Sequence, residues 1–424
     1  MKVVLFEDER FHLLFPLTYL RPVSELRCGA LGLRQKVQRK FPRCALHLET
    51  REVLRDVAAE LCGCPVNDPA RIRPDDDVLL VNAAAILTGP AESYDRREQV
   101  GATADGDFIW AFLKAQTVGK LGAGSARELA LLAAQRLPAE AVADVLIKYP
   151  WDLIVRNAGE IRNDFAAAYP PQVRGKLDAQ AAVCGDASNL HVGAGAEVQP
   201  WTFIDCREGP VIIADGALVR AHSSIQGPAF IGERAQLFEA YIREGTSIGP
   251  VCRVGGEIEE SIIHGHSNKY HTGFLGHSYV GEWVNLGAHT VNSDLKNDYS
   301  TVTVYLNGTP TDTGSMKVGS FIGDHTKTSI GTLLNTGSVV GIMCNLVAGA
   351  SVLPKYIPSF CWYLDSRISK GLGLEQALQT ARAAMARRGA HLTDAMVALM
   401  RYTEELTRPQ KMEKVRRDRK RAPR

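Results

Sequence analysis

Histidines are concentrated in the middle of this 424-residue chain, where six of the eleven lie between His264 and His325. An imidazole accepts a proton near neutral pH, so a histidine in this segment could serve as a general base. His266 and His271 also have a His-x4-His spacing, which could supply two ligands of a zinc site. The segment is therefore a candidate for proton transfer or for metal binding.

A second candidate site lies near the start of the chain. The apolar runs Lys2–Phe6, Cys44–Leu48 and Val78–Asn82 are predicted to be buried strands, and they alternate with predicted helices at Arg51–Leu61 and Ser125–Arg136. Such alternation predicts a small α/β domain with a largely parallel sheet. Ligands bind such sheets at the carboxyl ends of the strands, which here carry Glu7, Asp8 and Asn82.

Glycine marks the element that must position the histidines. Of the 38 glycines, 24 lie between Cys184 and Gly349. Within this segment an aliphatic residue recurs every six positions. The series is Ile213, Val219, Ile225, Ile231 and Leu237, then Ile242, Ile248 and Val254, then Phe274, Val280 and Leu286, and finally Ile322, Thr328 as a weak member, Leu334, Val340, Leu346 and Val352. A six-residue period suits a coil of three short strands per turn with inward aliphatic side chains, and it resembles the left-handed parallel β-helix of hexapeptide-repeat proteins.

Two interruptions break this period, at 257–270 and at 291–317, and both are predicted to extrude loops. After the coil, Leu374–Leu406 is predicted to form one or two amphipathic helices broken near Gly389. The last 17 residues, from Arg408, carry nine basic and two acidic residues, a net charge of +7. We expect a solvated, disordered tail there rather than a nucleic-acid site, because no aromatic residues are interleaved with the charges.

Composition limits the classes of protein. The chain has a net charge of +2 and is 45% hydrophobic, which excludes collagen-like and wholly disordered chains. No apolar run approaches the length of a membrane span, and no export signal precedes the first acidic residues. We expect a cytoplasmic protein whose nine cysteines are reduced.

The segment from Val219 to Val352 resembles the acetyltransferase half of bifunctional N-acetylglucosamine-1-phosphate uridylyltransferase/glucosamine-1-phosphate N-acetyltransferases, especially the archaeal-type members. The resemblance is carried by the run 259–276, by Val284-Asn285-Leu286-Gly287-Ala288 and by the return at 322–328. The opening Phe15-Pro16-Leu17-Thr18 with Arg21-Pro22-Val23 and Glu25-Leu26-Arg27 is similar to related sugar nucleotidyltransferases with the same two-part layout.

The resemblance implies roles for individual residues of the coil. His271 matches the base that takes the proton from the sugar's amino group. Arg243, Asn285 and Lys269 are expected to bind the sugar substrate, and Ala288 and Asp294 the acyl-CoA. Glu259 stands where the family has a phosphate-binding lysine, and a carboxylate there would repel a phosphate.

The nucleotidyltransferase half departs further from its family. Phe6 is followed by Glu7-Asp8-Glu9-Arg10, with no glycine to let backbone amides approach phosphates. Asn82 stands where a metal-binding aspartate is expected, and Asn157 matches a late asparagine that helps to hold magnesium. Arg21, Arg27 and, from the residues alone, Arg34 are candidates to neutralise nucleotide phosphates.

These observations predict three parts: an α/β nucleotidyltransferase-like (Rossmann-like) domain over 1–170, a left-handed parallel β-helix over 180–365, and C-terminal helices with a basic tail over 366–424. The resemblance implies a transferase of amino-sugar metabolism that acts on a sugar phosphate, a nucleoside triphosphate and acetyl-CoA, with Mg²⁺ for the nucleotidyl step, and that forms a homotrimer. It implies no membrane partner.

Four alternatives remain open. The first domain could be a folded remnant that binds a sugar nucleotide weakly or not at all, or it could be active beside a β-helix that is not catalytic. The coil could also resemble the zinc-dependent carbonic anhydrases, which occur on left-handed β-helices. Finally, the protein could be a non-catalytic scaffold or sugar-nucleotide sensor.

Overall fold

The computed structural model describes residues 1–349 and 351–421. Cα packing divides them into two units. The first unit comprises Met1–Leu14, Leu20–Leu26 and Leu31–Tyr149; the second comprises Phe15–Tyr19, Arg27–Ala30 and the chain from Pro150 onward. The division falls at Tyr149, earlier than the boundary of 170 predicted from sequence, because the helix Pro150–Ala168 packs with the coil.

The first unit is built on a six-stranded sheet. Its strands are β1 (Lys2–Phe6), β2 (Ala45–Glu49), β3 (Val78–Asn82), β4 (Gln99–Ala102), β5 (Phe108–Leu113) and β6 (Ala139–Ala141). The order is β2-β1-β3-β5-β4-β6, and β2, β1 and β3 run parallel. The sheet is mixed rather than largely parallel, since β5 pairs antiparallel with both β3 and β4. Short strands Ala85–Ile86 and Val145–Leu146 pair beside it, and Leu31–Gly32 is a further short strand.

Four helices belong to this unit: α1 (Leu33–Lys40), α2 (Arg55–Cys62), α3 (Ala115–Leu121) and α4 (Ala126–Arg136). Helix α4 begins where its sequence predicts, because the side chain of Ser125 accepts a hydrogen bond from the Glu128 N–H. Its apolar face, with Leu129, packs on the same core as Val4 and Leu80 of the sheet. The three parallel strands end together at Phe6, Glu49 and Asn82.

The second unit is a parallel β-helix with three faces, and it confirms the fold class predicted from the six-residue period. The strands of the first face are Gln172–Val173, Leu190–Val192, Val211–Ile213, Ala229–Ile231, Thr246–Ile248, Ile262–Gly265, Tyr279–Glu282, Phe321–Ile322, Val339–Val340 and Tyr356–Ile357.

The second face stacks Lys176–Leu177, Glu197–Val198, Leu218–Val219, the start of Gln236–Ile242, the start of Arg253–Glu259, Asn268–Lys269, Lys327–Thr328, Asn345–Val347, Trp362–Leu364 and Arg367–Ser369. The third face stacks Ala182–Cys184, Phe203–Asp205, Ser224–Gln226, the ends of the two long strands, Phe274–Gly276, Val291–Asn292 and Leu333–Leu334.

The aliphatic series lines the axis of the coil nearly as predicted: Ile213, Ile231 and Ile248 are 0% exposed. Two members of the series are wrong by one residue. Leu275 rather than Phe274 is buried, at 1% exposed, and Leu353 rather than Val352 is buried, while Val352 is 54% exposed. The first error follows the break at 257–270, where the spacing that sets the register is lost. The second lies at the last member of the series, after Val340 and Leu346 are buried as predicted.

The two breaks differ. The second one extrudes a hairpin, as predicted, whose strands Thr303–Leu306 and Thr309–Asp312 pair antiparallel. The first does not form a loop, because the strands Ile262–Gly265 and Asn268–Lys269 continue the coil through a shorter turn.

Three helices accompany the coil: α5 (Pro150–Ala168), α6 (Leu374–Ala386) and α7 (Asp394–Arg421). The separation of α6 from α7 around Gly389 confirms the predicted break. Helix α7 contributes Val415, 2% exposed, to the core of the coil, and Asp418 accepts a hydrogen bond from the Ile368 N–H at 3.0 Å. The expected disordered tail is therefore helical through Arg421; the remainder of the tail lies outside the described residues.

Candidate active site

The carboxyl edge of β1 is occupied by Glu7, whose side chain is 2% exposed. Its carboxylate accepts hydrogen bonds from the Val23 N–H at 2.7 Å, the Thr50 hydroxyl and the Arg51 guanidinium at 3.2 Å. These partners use both carboxylate oxygens. Glu7 thus fastens the segment around Val23 to the end of β2 and is not presented to a ligand.

The neighbouring Asp8 is bound just as fully. One oxygen accepts from the Arg10 N–H at 2.9 Å and the other from the Arg10 guanidinium and the Asn82 amide, at 2.6 and 2.9 Å. The Asn82 oxygen accepts from the Ala84 N–H at 3.0 Å. Arg10 also bridges to Asp107 at 2.7 Å, so the charges of this edge are compensated internally.

The cavity left at this edge, lined by Glu7, Asp8, Arg10 and Asn82 among others, measures about 10 Å³. That volume holds about one water molecule and cannot hold a nucleotide, which needs a pocket of several hundred Å³. The donor set does not fit Mg²⁺ either, because the oxygens of Asp8 and Asn82 are occupied by N–H donors. Among residues 1–349 and 351–421, no three His, Cys, Asp or Glu side chains lie together as a metal site.

The other residues predicted for nucleotide and metal binding are built into the fold. Arg21 is 3% exposed in the first unit, and its carbonyl accepts from the Arg51 guanidinium. Arg27 belongs to the second unit, where its guanidinium donates to the carbonyls of His264 and Ala30 and lies 5.5 Å from the centroid of the Phe230 ring.

Asn157, predicted to help hold magnesium, is buried among backbone groups. It is 0% exposed on α5, its oxygen accepts from the Gly29 N–H at 2.6 Å, and its nitrogen donates to the Gly245 carbonyl at 2.7 Å. Arg34 is likewise paired, with Glu25 at 2.5 Å within the first unit.

In the coil, the predicted base His271 is exposed and lies edge-on to the Tyr270 ring, with 4.9 Å between ring centroids. Lys269, predicted to bind substrate, is instead 2% exposed and donates to the carbonyls of Gly255 and His271 at 2.8 and 3.2 Å. Burial lowers the pKa of Lys269 to about 8. Its role in the described structure is to hold the backbone that carries His271.

Arg243, predicted to bind a sugar phosphate, faces three carboxylates. Its guanidinium lies 3.3 Å from Glu259, 3.6 Å from Glu257 and 3.8 Å from Glu244. Lys317 adds a second cation 3.7 Å from Glu259. Burial opposes the charged form, but the attraction of the three glutamates outweighs it and raises the pKa of Arg243. The carboxylate that sequence analysis noted at Glu259 therefore neutralises the arginine that was to bind phosphate.

Asn285 lies elsewhere, in a ladder on the second face. Asn268, Asn285 and Lys327 occupy equivalent positions of three turns, and Asn268 donates to the Asn285 oxygen at 3.1 Å. They line a cavity of about 300 Å³ between the coil and α6. Ala288, expected to contact acyl-CoA, follows three residues later and accepts a hydrogen bond from the Gly331 N–H at 2.8 Å through its carbonyl.

The structure also contains a charged cluster that sequence analysis missed. His277, 7% exposed, lies between Asp294 at 2.8 Å and Glu260 at 3.1 Å. Burial alone would lower the pKa of His277, but hydrogen bonds to the two carboxylates outweigh it and raise this pKa to about 9. Asp294, predicted to contact acyl-CoA, is thus engaged by an imidazolium. The signal available in the sequence was the 17-residue spacing of Glu260, His277 and Asp294, one coil turn apart.

The His-x4-His pair does not form a metal centre within one chain. His266 stacks on Trp283, with ring centroids 4.4 Å apart, and its Nδ1 lies 3.4 Å from a Glu282 oxygen. His271 stands exposed beside Tyr270. The described residues place no third ligand beside them, so the zinc alternative requires a ligand from a neighbouring subunit.

Comparisons with known proteins match parts of the chain. Residues 3–169 match the model of the sugar nucleotidyl transferase family. A bifunctional sugar-1-phosphate nucleotidylyltransferase/acetyltransferase of Sulfurisphaera tokodaii is 32% identical over 115 residues, which cover 27% of this chain and 29% of that protein. The bifunctional protein GlmU of Methanococcus vannielii is 35% identical over 127 residues, covering 30% of this chain and 29% of that protein.

Among solved structures, the UDP-N-acetylglucosamine acyltransferase of Francisella novicida is similar over 52% of this chain and 73% of that chain, with 13% identity and a TM-score of 0.26. The matches to the two curated relatives span less than a third of the length of each. None of the described helices is long and apolar enough to cross a bilayer. The chain is therefore similar to bifunctional nucleotidylyltransferase/acetyltransferases over less than a third of its length, and its residues 3–169 match the sugar nucleotidyl transferase model.

Proposed function

We propose that the coil transfers an acyl group from acyl-CoA to the amino group of a sugar, and that the first unit is a nucleotidyltransferase fold whose phosphate edge is closed. One observation carries this assignment: the edge at Glu7 and Asp8 retains about 10 Å³, whereas the coil keeps a cavity of about 300 Å³ at Asn285. Only the larger volume is within the range of small-molecule sites.

His271 is the proposed base. The amine nitrogen attacks the thioester carbonyl carbon, the C–S bond breaks, and the amine proton passes to the imidazole of His271 while the thiolate of coenzyme A leaves. The imidazole can then return that proton to the sulfur, so the acylated amine and the free thiol are the products. Exposure of His271 supports this role, because a buried imidazole could not reach an incoming amine.

Asn285 is the proposed donor to the substrate. Its oxygen is engaged by Asn268, which leaves its NH₂ group to donate to a carbonyl or oxyanion. His271 and Asn285 lie on different parts of the coil surface, and His271 does not line the cavity at Asn285. The proposal therefore includes a homotrimer in which neighbouring coils complete each site, which light scattering of the purified protein tests directly.

The acyl transfer is tested by incubating the protein with acetyl-CoA and a panel of amino sugars, with and without a 1-phosphate, and measuring free thiol. His271→Ala should remove thiol release, while His289→Ala, which alters another exposed histidine of the same coil, should retain it. Equal loss in both variants, or no thiol release from any amino sugar, would refute the assignment of His271.

Nucleotidyl transfer by the first unit is the second candidate, and the family match over residues 3–169 favours it. It is tested by pyrophosphate release from UTP, dTTP, GTP or ATP with sugar 1-phosphates and Mg²⁺. We expect no release above background, because the edge at Asp8 and Asn82 offers neither volume nor oxygen ligands. Steady pyrophosphate release would show that this edge opens, and would overturn our description of it as closed.

A further inference from the structure

The cavity between the second face of the coil and α6 is lined by an unusual number of cations. Lys327 of the coil and Arg387 and Arg388 at the end of α6 contribute to its wall, together with Asn268 and Asn285. The Arg388 guanidinium donates to the Asn268 oxygen at 3.0 Å, and Lys327 donates to the His325 carbonyl at 2.8 Å. Both contacts are to neutral oxygens, so they fix the positions of the cations without neutralising them.

Within the described residues, Lys327, Arg387 and Arg388 form no ion pair with an Asp or Glu, unlike Arg243, which faces three glutamates. Burial, followed by repulsion from Arg253 and Arg387, lowers the pKa of Arg388, and burial lowers the pKa of Lys327 to about 8. The Nε atom of Arg388 is buried without a hydrogen-bond partner in the described structure. Lys327 and Arg388 are partly buried and Arg387 is exposed. Charges that are withdrawn from water are normally paired, so cations arranged in this way indicate a site for an anion.

Two aromatic rings, His266 and Trp283, form part of the remaining wall, and Val284 with three residues of α6 forms the rest. The Trp283 indole stacks on the His266 ring at 4.4 Å with an 18° interplanar angle, and the Trp283 and His325 rings are nearly parallel at 6.3 Å. Glu282 places a carboxylate oxygen 3.4 Å from His266 of this wall. Because the Trp283 ring lies between the His266 and His325 rings, it offers an edge rather than a free face beside the group of cations, which suits a phosphate carried on a small organic group.

We propose that the cavity between the coil and α6 binds a phosphate ester, with Arg388, Arg387 and Lys327 on the phosphate and the edge of the Trp283 ring beside the organic part. This inference rests on the proposed function for the identity of the ester. An amino-sugar phosphate and the phosphates of acyl-CoA share the required chemistry. It relocates phosphate binding from Arg243, which three glutamates neutralise, to the basic end of α6.

Calorimetric titration of the full chain tests the proposal. The probes are glucosamine 1-phosphate against glucosamine, and acetyl-CoA against acetyl-pantetheine, which lacks the nucleotide phosphates. In at least one pair the phosphorylated probe should bind about tenfold tighter or better, as expected for charge-assisted hydrogen bonds. The pair that responds identifies the source of the phosphate. Equal affinities within both pairs, or no binding of any probe, would overturn the proposal.

Variants locate the binding site. Arg388→Gln should weaken the phosphorylated probe at least about tenfold and leave its unphosphorylated partner unchanged. Arg387→Gln is the second variant, in case loss of the Asn268 contact disturbs α6. Arg382→Gln is the control, because this residue is exposed on the same helix and does not line the cavity. Unchanged affinity in both cavity variants, with their circular dichroism intact, would refute the site.

The outcome also separates this inference from the proposed function. Phosphate-dependent binding without thiol release would leave the anion site in place and remove the acyltransferase assignment. Thiol release with a KM that neither Arg388→Gln nor Arg387→Gln changes would support the acyltransferase assignment and remove the anion site. Binding should in addition weaken as pH rises through about 8, because Lys327 then loses its charge.

Discussion

Two clusters of polar residues in this chain invite comparison. At the edge of the first unit, Glu7, Asp8 and Arg10 are satisfied by one another and by their neighbours, and about 10 Å³ remains. In the cavity between the coil and α6, Lys327 and Arg388 bond only to neutral oxygens, and about 300 Å³ remains. Similar residue types thus form a closed network of hydrogen bonds and ion pairs at the edge of the first unit and an open, charged cavity beside α6.

The comparison teaches that residue identity does not decide whether a charged group binds a ligand. An arginine whose charge is matched by carboxylates contributes to the fold, since adding a phosphate would meet repulsion from those carboxylates. An arginine held by a neutral amide keeps its attraction for anions. The two clusters are therefore tested with substitutions that add or remove a charge or its partner of opposite charge.

The largest effect on stability is expected at the edge of the first unit, in the cluster around Glu7. Glu7→Ala removes a carboxylate that is 2% exposed and leaves the Val23 N–H, the Thr50 hydroxyl and Arg51 without their acceptor. Loss of one partner of a buried pair costs about 3–5 kcal/mol. Calorimetric unfolding of the full chain should show the first unit destabilised by about that amount. Glu52→Ala, which removes a 70% exposed acid paired with Arg55, is the control and should cost under about 0.5 kcal/mol.

Much of the first unit could be predicted from its sequence. The strands Lys2–Phe6 and Val78–Asn82 have the predicted bounds, because continuous apolar runs bounded by polar residues are diagnostic of buried parallel strands. The closure of the edge could not be predicted. It depends on Val23, Thr50 and Arg51 reaching Glu7 from distant positions in the chain, and a local pattern does not record such contacts.

In the coil, the period predicted the fold but the site was harder to predict. Lys269 and Arg243 have the residue types that bind sugar phosphates, yet the structure buries one and surrounds the other with glutamates. The anion site at Arg388 depends on α6 packing against the second face, which six-residue periodicity within the coil cannot reveal. The presence of these helices and strands could be predicted from the sequence, but the way they pack against one another could not.

The next effect concerns a compensated cluster within the coil. His277→Gln removes the cation between Glu260 and Asp294, and we expect a loss of about 2 kcal/mol at pH 7, less than for a fully buried pair because Glu260 is 42% exposed. The pKa of His277 is raised from 6.5 to about 9 in the folded protein. Its stabilisation is therefore fully present below pH 6.5 and declines as pH rises toward 9.

Urea unfolding between pH 6 and pH 10 checks this prediction. The parent chain should lose stability between about pH 6.5 and about pH 9, whereas the His277→Gln chain should show a flatter profile. His289→Gln is the matched control, since His289 is exposed and its imidazole lies 3.3 Å from the neutral Thr272 hydroxyl. A pH dependence that persists unchanged in His277→Gln would mean that the imidazolium does not hold this cluster together.

A smaller effect tests whether the closed edge can be converted into a metal site. Asn82→Asp places a second carboxylate where an amide donates to Asp8 at 2.9 Å, and it should cost about 1–2 kcal/mol through repulsion and the lost hydrogen bond. Added Mg²⁺ should not restore the melting temperature, because Arg10 retains the Asp8 oxygens. Magnesium-dependent recovery would show that only the missing aspartate keeps the edge from binding metal.

The smallest effect is expected at Arg243, and it places the two kinds of arginine side by side. Arg243→Gln removes one cation from among three carboxylates, and since the guanidinium is 34% exposed the loss of stability should stay under about 1 kcal/mol. Affinity for glucosamine 1-phosphate should change less than about twofold, against about tenfold for Arg388→Gln. Titration of both variants under identical buffer decides the matter. A larger loss of affinity in Arg243→Gln than in Arg388→Gln would mean that phosphate binds Arg243 in spite of the carboxylates around it. Pairing of an arginine with carboxylates of the same chain would then not predict where an anion binds.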